Sequence, residues 1–287
     1  MNDLSKLMIR EMQATDLPFA ASCTSGEGWV SENYATLEGF YLNDPHGCLL
    51  AEINGQSVGI CIATCYRKSG FVGELIVRPE ARGQGVGAAL LNQGVGLLRY
   101  RGTETVYLDG VLKAVELYER NGFRKICRSW RFLGHMTGNL SPHIRRMVAS
   151  DLDQVAALDK LAFGEDRRFF LQRRFELFPE LCFVREENER ISGYILGRGG
   201  EGWLAAGPWV MDEAVETPVE LLFALALEAN GRPISLGILD SNRQACELVH
   251  SLGFEARTDS PWRMALGLSS DLGASPQCYA VGSAAKG

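Results

Sequence analysis

Two hydrophobic periods alternate along this chain. Apolar runs at Cys48 to Ile53 and Ser57 to Tyr66 flank Asn54-Gly55, the dipeptide favoured where a tight turn joins two antiparallel strands. A third run, Phe71 to Val77, stops at Arg78-Pro79, because proline has no N–H to offer a sheet. Val86, Ala89, Leu90, Leu97 and Leu98 then recur with roughly helical spacing. The same logic predicts strands at Met8 to Arg10, Thr105 to Asp109 and Arg128 to Leu133. It also predicts a helix opened by Thr15-Asp16, a loop and short helix from Ser25 to Tyr41, and a helix from Ala114 to Asn121 closed by Gly122. The pattern fits an α/β fold class with a mixed (α+β) sheet and helices on its faces.

The pattern then repeats. Ile9 to Leu17 matches Ile144 to Leu152 at six of nine positions, and Cys48 to Gly59 corresponds to Cys182 to Gly193. Gly122-Phe123 returns as Gly253-Phe254, and Trp130-Arg131 as Trp262-Arg263, in the same order and at nearly constant offset. Two copies of one fold are expected, at residues 1–137 and 143–287, with residues 138–142 as linker. The second copy departs at one place. Trp203 to Val210 takes the position of the Phe71 to Val77 run, but Met211 to Pro218 follows it with three acidic side chains and a proline, a poor anion site.

In the first copy that place holds Arg82-Gly83-Gln84-Gly85-Val86-Gly87. Glycines at a helix start let backbone N–H groups approach a ligand closely, and the unpaired N–H groups of a first helical turn favour an anion such as phosphate. A nucleoside triphosphatase loop needs Gly-Lys-Ser/Thr, and no lysine follows Gly87. A dinucleotide fingerprint is met loosely by Gly83, Gly85 and Ala88, but that motif follows its strand directly, and here Arg78 to Arg82 intervene. A third pattern, R/Q-x-x-G-x-G/A, is met at every fixed position by Arg82, Gly85 and Gly87. Leu75 to Pro79 upstream and Leu117-Tyr118-Glu119-Arg120-Asn121-Gly122-Phe123 downstream stand in the order and at about the spacing of the same family. On these motifs the first copy resembles the GNAT superfamily of N-acyltransferases, and the whole chain resembles a tandem GNAT protein with a degenerate second copy.

The resemblance implies two tandem GNAT folds and acetyl-CoA as co-substrate, with direct transfer of the acetyl group to a primary amine of a small molecule. It implies that Leu75, Ile76 and Val77 align the pantetheine arm, and that Arg82, Gly83, Gln84, Gly85, Val86, Gly87 and Ala88 hold the diphosphate. Tyr118 stands where the family's tyrosine protonates the departing thiolate, a step within reach of a phenol of pKa about 10. Val249 occupies the equivalent position in the second copy and has no proton to give. A free lysine-like amine is neutral in only about one molecule in 10³ at pH 7, so a base is needed, and Glu27 and Glu74 are the candidates. Trp29 and Asp109 are candidate substrate contacts, and Tyr34 and Tyr41 possible aromatic walls. A solvated carboxylate at Glu27, a strand-end ion pair at Glu74 and a turn cap at Asp109 are the structural alternatives. A non-catalytic acyl-CoA-binding or regulatory module remains the competing functional class.

Composition adds boundaries. A net charge of −6 and a pI near 5.4 argue against a nucleic-acid partner. No apolar run has the length of a membrane span, and Met1 to Lys6 is polar rather than leader-like, so no membrane partner and a cytoplasmic location are expected, with a homodimer possible. Eight cysteines without a C-x-x-C pair and only four histidines give no metal spacing, and Cys61 and Cys65 have no nearby histidine to make a nucleophile.

Overall fold

The structure, a computed structural model, describes residues 7–29, 32–200, 202–268 and 271–287. Residues 1–6, on which the expectation about a leader rests, lie outside the described residues. The first half runs β1 (Leu7–Glu11), α1 (Leu17–Gly26), α2 (Tyr34–Asn43), β2 (Cys48–Ile53), β3 (Gln56–Cys65), β4 (Ser69–Val77), α3 (Val86–Tyr100), β5 (Thr105–Gly110), α4 (Val115–Arg120) and β6 (Arg124–Gly134). The second repeats the order as β7 (Ile144–Arg146), α5 (Leu152–Phe163), α6 (Arg168–Leu177), β8 (Cys182–Glu187), β9 (Arg190–Gly200), β10 (Trp203–Met211), α7 (Val219–Ala229), β11 (Ile234–Leu239) and α8 (Arg243–Ser251). It ends with β12 (Glu255–Ala256), β13 (Trp262–Leu266) and β14 (Cys278–Ala280).

Local chemistry accounts for most of these bounds. Asn54 and Gly55 both take positive φ, as the β2–β3 turn requires, and Asp16 accepts from the Gln13 N–H at 2.8 Å to open α1 after one short 3-10 turn. The duplication is visible in side chains too. Arg10 on β1 bridges Asp16 and Glu52 at 2.6 and 2.7 Å, and Arg145 on β7 bridges Asp151, at 2.7 Å, and Glu186 in the same way.

Arg128 to Leu133, the strand that ends the first copy in sequence, lies within β6, and β6 does not pair with β5. Strand β13 from the second half lies between them, pairing β5 from Trp262↔Gly110 to Leu266↔Val106. In return β6 pairs β11 of the second half from Ile234↔Gly134 to Leu239↔Ser129. The two halves have exchanged their last long strands, so among the described residues fourteen strands form one continuous sheet. Apolar faces are covered on both sides: Leu90, Leu91 and Leu98 of α3 pack on one side of the first half's strands, and Leu17, Leu37 and Phe40 of α1 and α2 on the other. Further bonds tie the halves: the buried Glu165 carboxylate accepts from the N–H groups of Arg67, Lys68 and Ser69 at 3.2, 2.8 and 2.8 Å, and Arg173 binds Glu38 at 2.5 Å.

Candidate active site

Strands β4 and β5 are paired only from Ser69↔Thr105 to Phe71↔Tyr107. Beyond that point β4 keeps β3 and β5 keeps β13, so a slot opens between them whose closed end is the Phe71–Tyr107 pair. A cavity of roughly 1030 Å³ occupies the slot and its mouth. It brings together Glu27, Trp29, Glu74, Leu75, Ile76, Val77, Arg82, Gly83, Gly85, Val86, Gly87, Ala88, Asp109 and Tyr118, residues spread over some ninety positions of sequence. Gln84 is the exception: its amide donates to the Glu80 carbonyl at 3.1 Å, outside the lining. Tyr34 and Tyr41 do not line the cavity; Tyr34 is exposed and Tyr41 packs with α1 and α2.

The loop is built from its glycines. Proline and acid residues make a single 3-10 turn over Pro79–Ala81, then Gly83 and Gly85 take φ of 72° and 82°, a left-handed backbone that a side chain would strain. Gly85 is the N-cap of the fifteen-residue α3, whose first-turn N–H groups have no partner inside the helix and face the cavity at Val86 to Ala88.

On β4, Ile60 faces Ile76 and Ile62 faces Gly73, so Cys61 alone opposes Glu74 and Leu75. This bulge puts Glu74 at φ 46°, a strained setting for a non-glycine residue, and turns its side chain toward the slot. Glu74 is 4% exposed and its Oε2 has no hydrogen-bond partner. Burial, with the neighbouring charge of Glu32, pushes its pKa well above the usual carboxylate range. Tyr118 on α4 is also buried, its ring against Gly110 and edge-on to Phe123 at 6.1 Å, and desolvation raises its pKa so that the phenol stays protonated.

The other two carboxylates are differently placed. Burial disfavours the charge of Glu27, but Lys113, at 2.5 Å, and Arg82 overcome this and hold its pKa below the ordinary value. In this arrangement Glu27 is a latch on the loop arginine and a weak proton acceptor. Asp109 is completely enclosed: Arg263 donates to Oδ1 at 2.5 Å, while Arg131 and Ser129 donate to Oδ2 at 2.9 and 2.8 Å. These cations outweigh the desolvation and keep it ionised. Its visible contribution to the cavity is thus Arg131, which lines the wall and is held in place by Asp109.

Sequence reasoning missed the far wall. Because β6 crosses into the second half, Arg131 and Leu133 meet Trp203, Ser235 and Arg257 around the same cavity, and Ala284 and Ala285 line its inner end. Glu32, also in the lining, is paired with Arg198 of β9 at 3.3 Å. Only the recurring Trp-Arg motif hinted at these long-range partners.

The second half has the same slot, since β10 and β11 pair only from Leu204↔Ile234 to Ala206↔Leu236. It is filled by the chain itself. Strand β14 adds to β10 through Trp209↔Ala280, and the Val281 N–H donates to the Gly237 carbonyl of β11 at 2.8 Å. After β10 the chain reaches α7 through Asp212 to Pro218, with Asp212 paired to Arg190 at 2.5 Å and Pro218 as N-cap. Among the described residues no cluster of three or more His, Cys, Asp or Glu is arranged to hold a metal ion, and no helix is long and apolar enough to cross a membrane.

Two models of the acetyltransferase (GNAT) domain match the chain, at residues 44–125 and 155–280. Among curated proteins, an uncharacterized N-acetyltransferase of Methanocaldococcus jannaschii is 32% identical over 99 residues, covering 30% of this chain and 44% of that relative. A mycothiol acetyltransferase of Stackebrandtia nassauensis is 34% identical over 125 residues, 40% of each chain. The matched stretches thus span less than half the length of these relatives. Among solved structures, an acetyltransferase candidate from Pyrococcus horikoshii superposes with a TM-score of 0.81 at 22% identity, over 98% of this chain and 96% of that one. A tandem GNAT protein from the clavulanic acid biosynthesis pathway superposes with a TM-score of 0.61 at 14% identity, over 92% and 100%. At these identities the structural likenesses speak for the fold.

Proposed function

The chain belongs to the GNAT acetyltransferase family, as a tandem of two such folds, and from that premise we propose that its first half transfers an acetyl group from acetyl-CoA directly to a primary amine of a small molecule. The observation that carries the proposal is one open slot shared by a glycine-opened helix start, a buried carboxyl whose Oε2 has no hydrogen-bond partner, and the Tyr118 phenol. The division into units 1–137 and 143–287 about a 138–142 linker is part of the same proposal, with β6 and β13 exchanged between them.

The residues present fit acetyl-CoA. Gly83 and Gly85 clear the approach to the first-turn N–H groups of α3, and Arg82 and Lys113 add positive charge at the mouth. The edge of β4 from Leu75 to Val77 faces the slot without a strand beside it. Its backbone can hydrogen-bond the pantetheine arm and stabilise charge that develops on the thioester oxygen. Acetyl-CoA would supply an activated acyl carbon.

Glu74 then serves as base. Its raised pKa makes its ionised form, once the carboxyl has released its own proton, a stronger proton acceptor than an exposed glutamate. As the amine nitrogen bonds to the acyl carbon and the C–S bond breaks, Glu74 accepts the amine proton and Tyr118 donates its proton to the sulfur. The products are an amide and a free thiol, and the proton on Glu74 replaces the one Tyr118 gave. Of the two candidate bases Glu74 is preferred, because Glu27 is already held by two cations.

Calorimetry with CoA, combined with thiol titration over a panel of amines, amino acids and polyamines, tests the proposal. Micromolar CoA binding with thiol release for at least one acceptor is expected. Binding without release from any acceptor would favour a non-catalytic acyl-CoA module, and an absence of binding would end both readings.

A further inference from the structure

The slot between β4 and β5 is closed at Phe71–Tyr107 by strand pairing, but its floor comes from a segment more than two hundred residues away. A Cβ placed on Gly73, two residues past the closure, would lie 2.5 Å from the Ala285 carbonyl oxygen and 2.6 Å from its Cα and Cβ. Backbone therefore rests on backbone, and Ala285 is part of the core beneath α1 and α2. The segment is firmly tied. Tyr66 donates its hydroxyl to the Lys286 carbonyl at 2.7 Å, Arg167 donates to the Gly287 carbonyl oxygen at 2.8 Å, and the Lys286 ammonium sits over the rings of Phe40 and Phe170 at 4.5 and 5.0 Å. Ala284, next to it, lines the cavity and is exposed there.

Direction along β4 decides what meets this floor. From the α3 N-terminus the proposed carrier site descends through Val77, Ile76 and Leu75 to Glu74, and Gly73 is the next residue toward the closed end. A diphosphate held at α3 and an arm lying along Leu75 to Val77 direct the acyl group to that end. The chain beyond its carbonyl carbon then runs into Ala284 and Ala285. Behind them lies an apolar cluster of Tyr66, Phe71, Tyr107 and Phe163.

We propose that Ala284 and Ala285, contributed by the second half, form the blind end of the acyl pocket and restrict the donor to the shortest acyl-CoA thioesters. This rests on the acyltransferase reading above and adds to it the residues that set acyl length. It also gives the second half a part in the chemistry of the first: the segment that fills the second half's own slot as β14 continues into the floor of the other.

Two substitutions of opposite sense test the assignment. In Ala285→Gly the methyl facing Gly73 is removed, and in Ala284→Phe an exposed position gains bulk inside the cavity. One methylene in an apolar pocket changes discrimination by about 10-fold or more. Calorimetric affinities for acetyl-, propionyl- and butyryl-CoA, with CoA itself as control, are expected to shift about 10-fold toward propionyl-CoA in Ala285→Gly. They are expected to shift about 10-fold or more against both longer thioesters in Ala284→Phe, and initial rates should follow. Because Ala284 is exposed, its variant gives an answer even if Ala285→Gly unfolds. Unchanged propionyl-to-acetyl ratios with normal CoA binding would overturn the assignment while leaving the acyltransferase reading intact. Failure of the unsubstituted protein to bind CoA would overturn that reading and this assignment with it.

Discussion

Arg263 on β13 donates its Nε to Asp109 on β5 at 2.5 Å, inside the protein and across the two halves. The pair is the chemical signature of the strand exchange, because the residue of the first half that recurs as Arg263 is Arg131, which binds the other oxygen of the same carboxylate. One acid thus holds both copies of the Trp-Arg motif. It fixes β13 against β5 and sets Arg131 in the cavity wall.

Removing one partner of a buried ion pair leaves an uncompensated charge, at a cost of about 3–5 kcal/mol. Arg263→Met leaves Asp109 with Arg131 as its remaining cation, so it should destabilise the protein in chemical denaturation by less than that full cost. Pairing it with Asp109→Asn should give a loss smaller than the sum of the two single losses, since both changes remove the same contact. Additive losses would mean that the pair is not the contact joining the halves.

Glu74 gives a pH signature with a definite sign. Its folded pKa is raised, so the folded protein retains a proton that the unfolded chain releases near the ordinary value of about 4.5. Stability from this group is present in full below that value and is lost as pH rises toward the raised folded pKa. Glu74→Gln removes the loss. Melting temperatures at pH 5, 7 and 9 should show the variant gaining on the parent as pH rises, while its transfer rate lacks the rising limb that Glu74 ionisation gives the parent. A parallel pair of melting curves would assign Glu74 an ordinary pKa.

Tyr118→Phe keeps the ring that rests on Gly110 and Phe123 and deletes only the donor. General-acid catalysis contributes about 10²–10⁴-fold, so kcat should fall by at least about 10² while the KM for acetyl-CoA stays within about twofold. Loss confined to KM would recast the phenol as a binding group. Unchanged kinetics would leave Tyr118 as core alone.

Glu27 competes with the ligand for Arg82 and Lys113. Exposed ion pairs are worth about 0.2–1 kcal/mol, so Glu27→Gln should tighten CoA binding by about 2- to 5-fold. The gain should shrink as salt is raised, because the freed charges at the mouth are screened. Weaker CoA binding in this variant would show instead that Glu27 organises the loop for its ligand.

The sequence by itself determined what neighbouring residues can enforce. Asn54-Gly55 specified a turn, Pro79 ended a strand, and Gly83 and Gly85 supplied the only comfortable residues for two left-handed positions before a helix. These effects act within a few bonds, so they leave periodic or positional marks that are readable without coordinates, and the duplicated motifs doubled them. Tertiary structure alone decided which Trp-Arg strand lies beside β5, since β6 and β13 carry the same motif and both suit that edge. It also decided that Asp109 is enclosed by cations and that Glu27 is occupied, whereas composition gives only a net charge of −6 with no location. The floor at Ala285 was equally hidden. A contact between residues 73 and 285 depends on chain closure over the whole molecule, and two small residues that touch through their backbones leave no side-chain pattern by which to find each other.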